Sequence, residues 1–232
     1  MMTTMKSEYG DKMPSTRRMI LDKALQTVNQ VGEADFRIDA LAGELGLSPG
    51  NITYHFAKKD DICTALWNEL LDRFGTFDVM FSGMLDLKQL YLIVRAMNGL
   101  LWSYRGVVMS RGGDIRLAAG SDKPEGQSIS QMTYTFFERA HDILRRNGYL
   151  RDNVPDMMMR SVLDGENIML RSWINLQVVT QACDREHDLD QSRSINRGAL
   201  TTIYVMYPIL TQKGKDEFAE ICRKVEEGMI DA

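Results

Sequence analysis

Cysteine is scarce in this 232-residue chain: Cys63, Cys183 and Cys222 stand far apart, and no Cys-x-x-Cys pair occurs. That excludes a disulfide framework and a zinc ribbon, and fits a reducing compartment. Histidine is equally rare, with three residues. An all-helical metal phosphohydrolase needs several His and Asp ligands brought together, so His141-Asp142 and His187-Asp188 read as surface or capping pairs. No apolar run reaches the roughly 18 residues of a spanning helix, and the polar start MMTTMKSEYG does not read as a signal peptide. Positive charge is not in excess: 28 Lys and Arg face 32 Asp and Glu, a net of -4. A wholesale polybasic coat is excluded, a local basic surface is not. Gly112-Gly113 lacks the Gly-Lys-Ser/Thr of a P-loop, and Ser110, Ser121 and Ser128 lack the Gly-x-Ser-x-Gly of a hydrolase elbow. The expectation is a soluble, cytoplasmic protein that is not an enzyme and carries no metal or cofactor.

Proline is sparse too, with five residues, and what fills the chain is helical spacing without strict alternation, so the expected class is all-α. Residues 1–14 carry no periodic signal and read as a flexible tail. Ile20, Leu21, Ala24, Leu25, Val28 and Val31 make one helix face, stopped by Gly32. Ile38, Leu41, Ala42 and Leu45 make a shorter one, stopped by Gly46. Ser48-Pro49 starts a third helix, and a fourth from Lys59 carries Ile62, Leu66, Leu70 and Phe74, with Asp60 and Asp61 in its first turn. A break follows near 73–86. Beyond it, Leu87 to Trp102 is apolar nearly all round, the mark of a buried helix. Further helices run through Met132 to Ile143, from Pro155 in a first turn through Trp173, over Ala199 to Leu210 with Pro208 as kink or end, and through Phe218 to Met229. Loops are expected over 109–125 and 183–194.

The informative stretch is FRIDALAGELGLSPGNITYHFAKK, residues 36–59. Ala42 is small and lies four residues before Gly46, and a glycine there takes the left-handed conformation that ends a helix and begins a tight turn. Leu47 points inward, Ser48 is a good N-cap, and Pro49 suits the first helical position. Ile52 faces back towards Leu41 and Leu45. Those are the requirements of a helix-turn-helix. Its second helix keeps Gly50, Asn51, Thr53, Tyr54 and His55 outward, all small or hydrogen-bonding.

In these residues, from Ile38 and Leu41-Ala42 through Gly46-Leu47-Ser48-Pro49-Gly50 to Tyr54-His55-Phe56 and Lys59, the chain resembles the DNA-binding domain of the tetracycline-repressor (TetR) family. The resemblance covers about residues 15–70. Arg37 stands where the family often has threonine, so a cap is lost while the guanidinium is long enough to reach a phosphate. The resemblance implies a DNA-binding domain over 15–75, a larger helical domain for effector binding and dimerisation over 76–232, and double-stranded DNA as partner. Tyr54, His55 and Lys59 would meet phosphates. Gly50, Asn51 and Thr53 would face the major groove, behind an N-terminus formed by Ser48 and Pro49. Residues 1–59 hold eight Lys/Arg and seven Asp/Glu, a net of +1, against -5 for the rest. Few phosphate contacts and a modest salt dependence are therefore expected.

For the larger domain, aromatic and methionine-rich composition together with the resemblance suggests a small-molecule effector of unknown identity. Tyr91, Trp102, Phe136, Phe137 and Trp173 would surround it, and Arg95, Asn98 and Arg105 would orient it. Helices over 154–181 and 192–211 lie where the family dimerises, with Ile203, Tyr204 and Tyr207 outward against a second copy. The resulting reading is a repressor released from a palindromic operator by its effector. Two alternatives stay open: an interaction module of this fold without operator binding, and an all-α metal-dependent hydrolase.

Overall fold

Helix caps written into the sequence set most of the element boundaries in the computed structural model, which describes residues 15–80, 85–110, 128–183 and 191–229. The helices are α1 (Thr16–Asp35), α2 (Ile38–Leu45), α3 (Pro49–His55), α4 (Lys59–Gly75), α5 (Leu87–Ser103), α6 (Arg105–Ser110), α7 (Ile129–Arg146), α8 (Asp156–Cys183), α9 (Gln191–Tyr204) and α10 (Gln212–Glu226). Short 3₁₀ turns, Thr76–Met80 and Tyr207–Ile209, follow α4 and α9. No strand occurs among the described residues, and the fold is all-α. Hydroxyl or carboxylate caps hold the first turns: Ser15 accepts from the Arg18 amide, Ser128 from Gln131 and Thr211 from Gly214, while Asp86 and Gln89 form a reciprocal capping box.

Two cores result. Ile20, Ala24 and Val28 of α1 meet Leu41, Ile52, Ile62 and Leu66 from α2, α3 and α4, all fully buried or nearly so. In the second, α5 is the central helix, buried through Leu90, Tyr91, Val94, Met97 and Leu101, with α8, α9 and α10 packed around it and α7 on α8.

The two parts join most closely at α1 and α6. Asn29 donates to the Ser103 carbonyl (2.7 Å) and accepts from the Gly106 amide (2.9 Å), pinning the α5–α6 corner to α1. Gly106 lies so close that an added Cβ would sit 2.2 Å from the Val28 carbonyl oxygen. Beside it Glu69 of α4 takes a two-pronged bond from Arg18 (2.9 Å to each oxygen) and one from Arg73 (2.6 Å). The buried Tyr104 hydroxyl, desolvated and bonded to that carboxylate, is pushed up to about 12.

Several boundaries differ from the sequence reading. Gly32 does break α1, at φ 78°, but one more turn follows it. Pro155 precedes α8 rather than lying in its first turn, its carbonyl accepting from Met159. The helix expected over Ala199 to Leu210 starts at Gln191 and stops at Tyr204, with Pro208 in the 3₁₀ turn beyond it, because a proline lacks the amide that would continue the ladder. Met109 and Ser110, expected in a loop, end α6, and Met229 lies past the end of α10. The expected tail 1–14, with Gly112-Gly113, Ser121 and His187-Asp188, lies outside the described residues.

Candidate nucleic-acid interface

The turn between α2 and α3 is built as a left-handed stop followed by a capped start. Gly46 takes φ 64°, ψ 26°, a conformation that costs a side-chain-bearing residue about 1–2 kcal/mol. Its amide and that of Leu47 close back on the carbonyls of Gly43 and Ala42 at 3.2 and 2.9 Å. Two residues on, Ser48 is extended, and its hydroxyl accepts from the Asn51 amide (3.3 Å), with Pro49 opening α3. Ser48→Ala removes that cap while leaving Pro49 in place. It should cost about 1 kcal/mol of stability, read from denaturant unfolding, and an unchanged midpoint would mean the hydroxyl contributes nothing.

α3 has one inward residue, Ile52, at 0% exposure. Gly50, Asn51, Thr53 and Tyr54 all point to solvent, with Tyr54 at 86% exposure, and His55 is half-buried edge-on to the Tyr54 ring (5.1 Å between centroids). Apart from that contact with its neighbour, the Tyr54 ring takes no part in the protomer's core. A Cβ at Gly50 would make only an ordinary 3.7 Å contact with Ser48, so the protein's interior does not require glycine there. The absent side chain matters to whatever approaches from outside. Thr53 folds its hydroxyl back onto the Gly50 carbonyl (3.2 Å), leaving its methyl outward.

Four cations around this helix differ in kind. Arg37 is exposed at the start of α2 and makes no side-chain cap there, as its departure from threonine implies. Lys59 is tied down: its Nζ donates to the carbonyls of Glu33 (3.0 Å) and Ala34 (3.2 Å) in the last turn of α1. Arg17, which the sequence reading passed over, is exposed and holds its guanidinium 4.9 Å above the Phe56 ring, at the C-terminal end of α3. The exposed Lys58 was passed over as well. Proximity of Arg17 to Phe56 depends on how α1 crosses α3, so nothing in the local sequence marks it.

In the larger unit, the residues expected around an effector go separate ways. Arg95 donates to Asn196 (2.5 Å) and Trp173 to the Ser194 carbonyl (3.1 Å), so both hold α9. Arg105 lies 5.0 Å over the Trp102 ring. Tyr91 is wholly buried, and Phe136 and Phe137 pack edge to face at 5.2 Å in the core. Asn98 is 1% exposed with neither amide atom hydrogen-bonded. A cleft of roughly 120 Å³ opens where α4 ends, between Phe74, Phe77, Met97, Met132 and Phe136, with Asp78, Gln131 and Thr135 as polar lining, and Phe136 is the one residue of those eight that lines it. His141 turns to Glu166 and Asp142 to Arg145, and among the described residues no three His, Cys, Asp or Glu side chains converge as a metal site.

Of the three residues expected outward for a second copy, Ile203 is fully buried inside the protomer and has no surface to offer, a correction to the sequence reading. Tyr204 is 57% exposed, and it stacks on Tyr207 (5.4 Å) beside Phe218. Met157, Ile168 and Leu176 along α8 are exposed apolar residues. No described helix is long and apolar enough to cross a membrane.

Comparison with known proteins places this architecture. No family model matches the chain. It is 34% identical over 62 residues to the HTH-type transcriptional regulator BetI of Brucella anthropi, a match spanning 27% of this chain and 32% of that protein, about a third of the curated relative's length. A TetR-family transcriptional regulator from Marinobacter aquaeolei VT8 superposes with a TM-score of 0.74 over 91% of this chain and 99% of its own, at 19% identity. A gamma-butyrolactone receptor, described as ArpA-like, gives 0.62 over 91% and 96%, at 14% identity. From α1 to α10, the chain has the fold of the TetR-family transcriptional regulators.

Proposed function

We propose that this chain is a sequence-specific DNA-binding transcriptional regulator, a cytoplasmic homodimeric repressor that a small-molecule effector releases from a palindromic operator. The observation that carries the reading is α3: a short helix anchored by the buried Ile52 presents Gly50, Asn51, Thr53 and Tyr54 outward. The fold shared with TetR-family regulators supports it. Residues 15–75 form the DNA-binding unit and 76–232 the effector and dimer unit. Asn51 and Thr53 address base edges and thymine methyls, the close approach being allowed by Gly50. Tyr54, His55 and Arg37 meet the sugar-phosphate backbone that positions them.

Two copies would place their α3 helices about one DNA turn (~34 Å) apart on a two-fold symmetric site. Exposed Met157, Ile168, Leu176 and Tyr204 supply the apolar surface for that pairing. An effector favouring the DNA-incompetent spacing weakens operator binding by the factor with which DNA weakens effector binding, about 5- to 150-fold for a coupling of 1–3 kcal/mol.

The test is selection of bound duplexes from a random DNA library by the purified protein, followed by anisotropy titrations of the winner against an unrelated duplex. A two-fold symmetric winner bound at least about a thousandfold more tightly than the unrelated duplex is expected. Tyr54→Ala should weaken both duplexes to a similar extent, as loss of a backbone contact does. Asn51→Ala should weaken the winner selectively, by about 1–3 kcal/mol. A library that returns no enriched sequence would leave the interaction-module reading in its place.

A further inference from the structure

The cleft at the end of α4 has a buried apolar wall and a polar mouth. The wall is made by Phe74 of α4, Phe77 of the turn that follows, Met97 of α5 and Phe136 of α7, all buried against the core while lining open space. Phe74 and Phe77 meet edge to face (5.8 Å between centroids), which holds each ring in place. Gly75 keeps the space open. It is helical and its φ is not positive, so its backbone does not call for glycine, and alanine is the better helix former. An added Cβ would meet Met132 Cε at 3.3 Å, the methyl of a side chain that also lines the cleft. The mouth carries Gln131 and Thr135, one turn apart on α7 and both exposed. Asp78 is the one charged residue among those lining the cleft. Its carboxylate is already paired with Arg139, 2.5 Å away, which also donates to the Asp78 carbonyl (3.3 Å).

We propose that this cleft binds a small, uncharged molecule through one ring-sized apolar group, with a hydroxyl or carbonyl of that molecule held at the mouth by Gln131 and Thr135. Its volume, roughly 120 Å³, is close to the ~150 Å³ of an apolar cavity that accepts benzene. Three phenyl rings and two thioethers favour an apolar ring over a polar one, and methionine adapts to its outline. A charged head is disfavoured, because a buried charge needs a partner and the charge of Asp78 is spent on Arg139. The proposal deepens the effector reading, naming the place and the chemical class of the ligand, and rests on that reading for any consequence at the operator.

The experiment uses the full chain, isotopically labelled at its methionine methyl groups, and three probes that share a ring: benzyl alcohol, benzoate and benzylammonium. An aromatic ring in the cleft displaces the resonances of the methyls beside it. The Met97 and Met132 signals, assigned from Met97→Leu and Met132→Leu, should therefore move with benzyl alcohol while that of the exposed Met157 stays. The titration should saturate with a Kd on the order of a millimolar, and both charged probes should bind at least about tenfold more weakly. Met132→Trp puts an indole into the space and should raise the Kd for benzyl alcohol at least about tenfold, read from the Met97 signal. Gly75→Ala presses on Met132 Cε and should raise it about two- to fivefold, a second reading should the tryptophan variant unfold. Met97 and Met132 signals that stay put, or variants that bind as well as wild type, would overturn the site. Tighter binding of either charged probe would overturn the ligand class. On the duplex selected from the library, saturating benzyl alcohol should weaken wild-type affinity at least about fivefold and leave Met132→Trp unaffected. An unchanged duplex affinity beside a saturating methionine titration would remove the effector reading of this cleft while the binding site stands, so the two failures are told apart.

Discussion

Gly106→Ala should lower the melting temperature by roughly 3–10 °C, the shift that about 1–3 kcal/mol of overpacking produces in a chain of this size. The methyl group it adds would lie 2.2 Å from the Val28 carbonyl oxygen, 2.6 Å from the Val28 carbonyl carbon and 2.9 Å from Asn29 Cα. All three are backbone atoms of α1, so no rotamer change relieves the clash and α6 must withdraw as a body. Withdrawal also strains the two bonds of the Asn29 side chain, to the Ser103 carbonyl and from the Gly106 amide. Gly43→Ala is the matched control. Nothing stands within 4 Å of its added methyl, and it lies inside α2, where alanine is favoured over glycine by roughly 0.5–1 kcal/mol. Thermal melts of the two variants by circular dichroism should therefore move in opposite directions. A Gly106→Ala melt at the wild-type temperature would show that α1 and α6 do not pack as tightly as their backbones imply. Because the Glu33 amide also donates to Ser110 Oγ of α6, the same variant should loosen the end of α1 that Lys59 holds.

The contrast between that contact and the helix-turn-helix explains what was legible in the sequence. The α2–α3 turn is local. A left-handed glycine, a serine cap, a proline and one inward isoleucine lie within ten residues, each with a conformational requirement that its neighbours meet. Gly106 sits in the stretch WSYRGVVM with no signal that it must be small, because what it touches is Val28, in another helix. Gly198 is similar: a Cβ there would come within 2.5 Å of the Trp173 ring, so that indole is fixed as packing between α8 and α9 and its N–H goes to the Ser194 carbonyl. Ile203 is expected outward because the resemblance places a dimer interface along this stretch, but a family's interface does not say which apolar residues of the helix face it, and here the protomer's own core covers Ile203. Lys59 shows the limit from the other side. Its register was readable, but its partners are two carbonyl oxygens, and a main-chain acceptor leaves no trace in the sequence. His141 was weighed with the adjacent Asp142, yet its partner is Glu166, on the next helix.

That pair carries the last prediction. Glu166 is at 0% exposure and His141 at 2%, the ring Nε2 lying 3.2 Å from Oε1 and 3.0 Å from Oε2, with ring Nδ1 unpartnered. Burial pushes the Glu166 carboxyl above its ordinary value of 4.5, and the pull of His141 in the other direction only partly offsets this. The folded chain thus keeps a proton on Glu166 over a range in which the unfolded chain has released it. The contribution of this one group to stability is full below about pH 4.5, falls as pH rises through the raised folded value, and levels off above it. Glu166→Gln keeps a hydrogen-bonding group of the same shape and has nothing to titrate. Its unfolding free energy, measured in urea from pH 4 to 8, should lack this decline, so wild type loses ground to it as pH rises. His141→Leu removes the group that pulls the carboxyl down and leaves it buried alone, which should destabilise the fold and extend the decline to higher pH. The double variant Glu166→Gln, His141→Leu should be less sensitive to pH than His141→Leu alone, since the burden on that variant is the charge that Glu166 develops. Parallel pH profiles for wild type and Glu166→Gln would place the titrating group elsewhere and sink the assignment.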